Sequence, residues 1–149
     1  MILALREFLK NLAAPAGETG PSAMTVQLAT AVLLVEAMRA DKGMDAGERA
    51  AVQRILQERF TLSAADVQEL LAVAEERSRL ANDYFAFTNV LNERLAQEEK
   101  VNVIELMWKV AYVDGTADAG EIHVISRIAG LLHVPHGDYI AAKLRAKGG

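Results

Sequence analysis

The feature that most constrains this chain is an internal repeat, in which the tetrapeptide Asp-Ala-Gly-Glu occurs at residues 45–48 and again at residues 118–121. When the sequence is shifted along itself by 73 positions, residues 33–56 align with residues 106–129, and eight of the 24 aligned pairs are identical. The identical pairs are Leu33/Leu106, Asp41/Asp114, Asp45/Asp118, Ala46/Ala119, Gly47/Gly120, Glu48/Glu121, Arg54/Arg127 and Ile55/Ile128. Two copies are too few for a solenoid, which needs at least three repeats. We therefore predict two similar units that pack about a pseudo-twofold axis.

Each unit is predicted to be helical. Residues 23–41 ("AMTVQLATAVLLVEAMRAD") and 101–114 ("VNVIELMWKVAYVD") are apolar nearly all around the helical wheel, which is typical of helices surrounded by other helices. No segment shows the strict alternation of a half-buried strand. We expect an all-α fold of about seven to eight helices, with these two apolar helices at its centre and Ser22 as the N-cap of the first.

Length and composition fit one domain. A chain of 149 residues, 52% of them hydrophobic, is large enough to fill a single core. An aromatic fraction of only 5% and three prolines favour helices packed on helices. The predicted single domain covers residues 1–149 and consists of an N-terminal amphipathic helix over 1–14, repeat one over about 22–80 and repeat two over about 98–147.

Charge and residue usage exclude several classes of partner and site. The formal net charge is −4 and the 16 basic residues are scattered, so the basic patch of a nucleic-acid binder is missing. The chain has no cysteine, which excludes disulfides and thiolate metal sites. The longest apolar run, residues 28–35, is too short to span a membrane. We expect a cytoplasmic protein with no membrane span and no nucleic-acid partner.

The segments around the two tetrapeptides carry a family resemblance. "ADKGMDAGERAAVQRIL" (40–56) and "VDGTADAGEIHVISRIAGLLHVPHGDY" (113–139) resemble the paired acidic segments of the tellurite-resistance TerB-like family, and the resemblance extends over roughly Met24 to Lys143. The first copy departs from the pattern, with Lys42 where the second has Gly115. The resemblance implies a small all-helical protein of bacterial stress response, with acidic residues proposed to bind a divalent metal and no established catalytic activity.

The acidic residues of each tetrapeptide have a simple structural interpretation. An aspartate at the N-cap followed three residues later by a glutamate is the capping-box pattern, in which each side chain accepts a hydrogen bond from a free backbone N–H of the first turn. Asp45 with Glu48, and Asp118 with Glu121, fit that pattern. Capping alone therefore accounts for these four carboxylates.

Asp41 and Asp114 need another explanation, because each ends a central helix, where the helix dipole disfavours an anion. Each lies four residues before a capping aspartate, and a tight loop would bring three carboxylates together that repel one another unless a cation or a proton relieves them. A hard divalent cation such as Ca²⁺ or Mg²⁺ takes oxygen ligands of this kind. The spacing is not that of an EF-hand. The candidate metal ligands are Asp114, Asp118 and Glu121 in the second copy and Asp41, Asp45 and Glu48 in the first, forming one shared site or two.

Other chemistry has little support in the sequence. His133 and His136 have a spacing seen in zinc sites but no second ligand pair, so we expect turn or surface residues. No nucleophile, phosphate-binding or metalloprotease motif is present, and a non-enzymatic protein is predicted. The alternative to cation binding is a metal-independent helical interaction module, similar to the TerB-like domain of DnaJ-type co-chaperones. A protein partner is expected in either case, and a homo-oligomer is left open.

Overall fold

The computed structural model describes residues 25–39, 44–81, 83–113 and 115–148, which form seven α-helices and no strand. The helices are α1 (Val26–Met38), α2 (Ala46–Phe60), α3 (Ala64–Leu80), α4 (Phe85–Arg94), α5 (Gln97–Ala111), α6 (Ala119–Leu131) and α7 (His136–Gly148). The predicted all-α fold is confirmed. The predicted N-terminal helix over residues 1–14 lies outside the described residues.

The two central helices are buried as their composition predicts. In α1, ten of 13 residues are buried, and α5 buries Ile104, Met107 and Trp108 against the same core. The N-cap prediction for α1 was wrong: Thr25, not Ser22, precedes the first turn, and its hydroxyl accepts a hydrogen bond from the backbone N–H of Leu28 at 3.2 Å. Both residues can cap a helix, so residue type alone could not choose between them.

The packing repeats itself along with the sequence. Helix α1 packs on α2, α3 and α6, and its counterpart α5 packs on α6, α7 and α2. The two central helices also contact each other. Each apolar helix therefore holds the helices of its own repeat together and contacts the second helix of the other repeat, as expected for a pseudo-twofold arrangement.

Helix α4 connects the two repeats and departs from the twofold pattern. It packs on α1 and α6 and buries Phe87, Val90 and Leu91. No other helix among the described residues occupies the equivalent position against α5 and α2. The asymmetry leaves different surfaces on the two sides of the domain.

None of the described helices is both long enough and apolar enough to cross a bilayer.

Candidate functional site

The first tetrapeptide forms a complete capping box at the start of α2. The backbone N–H of Glu48 donates to Asp45 Oδ1 at 2.7 Å, and the backbone N–H of Asp45 donates to Glu48 Oε1 at 3.2 Å. Two free donors of the first helical turn are thereby satisfied, and both carboxylates lie at the positive end of the helix dipole.

The second tetrapeptide forms the same box at the start of α6. The backbone N–H of Glu121 donates to Asp118 Oδ1 at 2.8 Å, and that of Asp118 donates to Glu121 Oε1 at 3.2 Å. The capping interpretation of all four residues is therefore confirmed. In both boxes the cap uses one oxygen of each carboxyl group and leaves the second oxygen out of the cap.

The loop before the second box turns at a glycine. Gly115 has φ +102°, in the region that residues with a Cβ rarely adopt, and its N–H donates to the carbonyl of Tyr112 at 2.9 Å. The corresponding position of the first copy, Lys42, lies outside the described residues. So do Asp41 and Asp114, the two aspartates that capping does not explain.

The two capping boxes come close to each other through their glutamates. The carboxyl group of Glu121 interacts with that of Glu48 from the other repeat, and this interaction is among the causes that raise its pKa. Both glutamates are buried, with 6% of Glu48 and 3% of Glu121 exposed. Two buried carboxyl groups that lie close together repel each other when both are ionised, which favours the protonated form of one of them.

The surroundings of Glu121 favour its protonated form. Burial, the hydrogen bond with Glu48, and the negative charges of Glu48 and Asp118 raise the pKa of Glu121 to about 8. The hydrogen bond from the backbone N–H of Asp118 acts in the opposite direction. At neutral pH the pair therefore carries less negative charge than two free carboxylates would.

The donor chemistry of this cluster suits a hard cation, since its four described carboxyl groups offer only oxygen ligands. Within the described ranges, however, no three Asp, Glu or His side chains are arranged so that they could hold a metal ion. The four described candidates are thus brought together as two caps and one glutamate pair. The assignment of all six predicted residues as metal ligands stays a prediction.

The three histidines lie apart from this cluster. His123, His133 and His136 are all exposed, and His133 adopts a positive φ of 59° in the turn before α7. The expectation that His133 and His136 are turn or surface residues is confirmed.

The sequence did not predict one surface feature, a groove lined by basic side chains. A groove of about 630 Å³ lies between α2, α5 and the end of α7, and four basic side chains line it. They are Arg54, Arg59, Lys109 and Lys147. These residues are far apart in sequence and come together only when the helices pack, so a search for a basic run could not find them.

Comparison with known proteins identifies the fold family. The family model described as tellurite resistance protein TerB matches residues 27–144, which is more than half of the chain and includes both tetrapeptides. No significant match was found among curated proteins or among solved structures. The chain therefore belongs to the TerB family of tellurite resistance proteins.

Proposed function

We propose that this domain is a non-enzymatic cytoplasmic protein that binds one divalent cation, Ca²⁺ or Mg²⁺, where its two capping boxes meet, within a bacterial stress response of the tellurite type. The single observation that supports the proposal is that the buried carboxyl groups of Glu48 and Glu121 lie close enough to influence each other. It makes one shared acidic cluster out of two sequence copies.

This proximity favours cation binding because two ionised carboxyl groups repel each other unless a positive charge lies between them. A divalent cation would supply that charge and displace the proton that the raised pKa of Glu121 favours, and the carboxyl oxygens outside the caps are the available ligands. Asp41 and Asp114 would complete the ligand set, one from each repeat. Binding is then expected to release about one proton at neutral pH, because ligating carboxyl groups must be ionised.

Calorimetry on metal-stripped protein tests the proposal. Titration with Ca²⁺ and Mg²⁺ should give one site per chain, and repetition in buffers of different ionisation enthalpy should show the released proton. Glu121→Gln keeps an acceptor for the capping bond but loses the charge, and it should weaken cation binding at least about tenfold.

The matched control is Glu98→Gln, which alters an exposed carboxylate in the first turn of α5. Its cation affinity should equal that of the parent protein. Absence of saturable binding up to millimolar cation, or equal binding by Glu121→Gln, would refute the cation site.

A second candidate function, the metal-independent interaction module, is favoured by the completeness of the caps. Asp45, Glu48, Asp118 and Glu121 all have their partners without a metal ion. In that case the four carboxyl groups only stabilise the fold, and unfolding free energies should be the same with chelator and with Ca²⁺. A rise in unfolding free energy on adding Ca²⁺ would exclude this candidate in favour of the first.

A further inference from the structure

The basic groove has an apolar floor as well as a charged rim. Ile55 from α2 and Leu106 from α5 lie in its lining and are each 8% exposed, while Val113 at its edge is 40% exposed. Tyr112 also lines the groove, and its ring stacks on Trp108 at a centroid distance of 5.7 Å. The floor therefore offers an apolar ligand surface next to the only tryptophan of the chain.

The rim is strongly positive for a protein with a net charge of −4. Its four cations face one described carboxylate of the lining, Glu58. Lys109 also lies 3.7 Å from Glu105 Oε2, whose carboxylate in addition accepts a hydrogen bond from Arg145. Arg54 has no ion-pair partner among the described residues. The groove thus concentrates positive charge that its own lining does not balance.

The internal repeat shows how a groove at this position can be filled. The shift of 73 positions pairs Arg54 with Arg127 and Lys109 with Glu36, which places the equivalent groove between α6 and α1. The floor of that groove is covered by α4, which packs on both helices, and Leu33 and Ile128, the equivalents of Leu106 and Ile55, are fully buried. A smaller pocket of about 190 Å³ remains at its outer end, where the ring of Tyr84 lies 5.7 Å from the guanidinium of Arg127. One of two related grooves therefore already holds an amphipathic helix.

We propose that the open groove binds an acidic amphipathic helix of a partner protein. The apolar stripe of such a helix would lie on Ile55, Leu106 and Val113, and its carboxylates would face the four cations. The predicted helix over residues 1–14 is a poor match in charge, since it carries Arg6 and Lys10 against Glu7 alone. The proposal does not depend on cation binding, and it gives the second candidate function a surface and a partner chemistry.

The test uses the full chain in the presence of a chelator, so that failure of the cation site cannot affect it. The probes are two synthetic helical peptides of about 18 residues with leucine at i, i+3, i+4 and i+7, one flanked by glutamates and the other by lysines. Trp108 fluorescence and calorimetry report binding. We expect the acidic peptide to bind at least about tenfold more tightly than the basic one, and its affinity to fall as salt is raised.

Variants locate the binding surface. Arg54→Glu combined with Lys147→Glu should weaken the acidic peptide at least about tenfold, and both positions are exposed, so folding is preserved. Val113→Glu should weaken it separately by placing a charge on the apolar edge. The matched control is Arg127→Glu, the repeat-equivalent arginine beside the groove that α4 covers, and it should change the affinity less than about twofold.

Several outcomes would overturn the proposal. Equal binding of the two peptides, or binding that Arg54→Glu with Lys147→Glu does not weaken, excludes an acidic helix as the ligand. A disulfide formed between Leu9→Cys and Val113→Cys in this otherwise cysteine-free chain would show that its own first segment fills the groove. Self-association that Arg54→Glu abolishes would identify a second copy as the occupant, and binding to phosphatidylglycerol vesicles without competition by the acidic peptide would identify a membrane surface.

Discussion

The two repeats agree where they face each other and differ at their outer ends. Their capping boxes make the same hydrogen bonds, with the N3 N–H to N-cap carboxylate distance at 2.7 and 2.8 Å. At the end of α1, Ser78 Oγ donates to Glu36 at 2.7 Å and accepts from Arg39 at 3.1 Å. At the equivalent end of α5, the rings of Trp108 and Tyr112 stack instead. The shared sequence therefore maintains the two capping boxes. The outer ends of the central helices are held by side-chain hydrogen bonds in repeat one and by aromatic packing in repeat two.

The largest expected effect is the loss of unfolding free energy when a buried side chain that differs between the repeats is truncated. Trp108 and its repeat equivalent Val35 are both fully buried. Trp108→Ala should cost about 3–5 kcal/mol of unfolding free energy, because it leaves a large cavity. Val35→Ala removes less apolar surface and should cost roughly 1.5–3 kcal/mol. Urea unfolding measures both, and equal losses would show that the aromatic cluster of repeat two contributes nothing beyond an aliphatic core.

The next largest effect is a pH dependence of the unfolding free energy, which arises from Glu121 between the two repeats. The folded pKa of Glu121, about 8, lies above its ordinary value of 4.5. Its contribution to stability is therefore complete below about pH 4.5, falls as the pH rises, and is lost above about pH 8. Between pH 5.5 and 8.5 the unfolding free energy should fall by a few kcal/mol in the absence of metal.

Two variants separate the titration of Glu121 from that of other groups. Glu121→Gln should flatten the dependence between pH 5.5 and 8.5, since glutamine does not ionise. Glu98→Gln should leave the dependence unchanged. A parent protein whose stability is level or rises over this range would contradict the buried pair.

A smaller effect is expected from a substitution that makes repeat one resemble repeat two. Thr30 in α1 is 1% exposed, its hydroxyl has no hydrogen-bond partner among the described residues, and its repeat equivalent is the buried Val103. Thr30→Val should raise the unfolding free energy by about 1 kcal/mol, because it removes a buried polar atom without a partner. The reverse change, Val103→Thr, should lower it by about 1–3 kcal/mol. Destabilisation by Thr30→Val would mean that the hydroxyl has a role that the contacts do not reveal.

The smallest expected effect is the loss of unfolding free energy when either helix cap is removed. Asp45→Ala and Asp118→Ala should each cost about 1 kcal/mol in the presence of chelator, within a range of about 0.5–2. Because the two boxes have the same bonds, the two losses should agree within about 0.5 kcal/mol. Thermal unfolding of both variants measures the two losses. A clear difference between them would show that one of the two aspartates stabilises the fold by more than its helix cap.

Most of the local structure could be predicted from the residues. The period of the apolar side chains predicted the helices, and the Asp-x-x-Glu spacing predicted both caps. These signals act over three or four residues, so they survive in any tertiary context. The N-cap of α1 was misplaced because Ser22 and Thr25 carry the same signal, and residue type alone does not choose between them.

The candidate sites were predictable only in part. The sequence named Glu48 and Glu121 as caps and left open whether the two acidic copies meet. Their proximity depends on how α2 and α6 each pack against the central helices α1 and α5, which no local signal specifies. The basic groove, with Arg54 and Lys147 almost a hundred positions apart, depends on packing in the same way.

The sequence by itself therefore determined a duplicated all-helical TerB chain with two identical helix starts, because periodicity, capping and duplication are properties of short stretches and of their repetition. Only the tertiary structure decided that the buried carboxyl groups of Glu48 and Glu121 come close together, and that α4 covers the floor of one of two related grooves while no described helix covers the other. The physical reason is that burial and charge proximity arise between residues distant along the chain, and the packing of whole helices sets them.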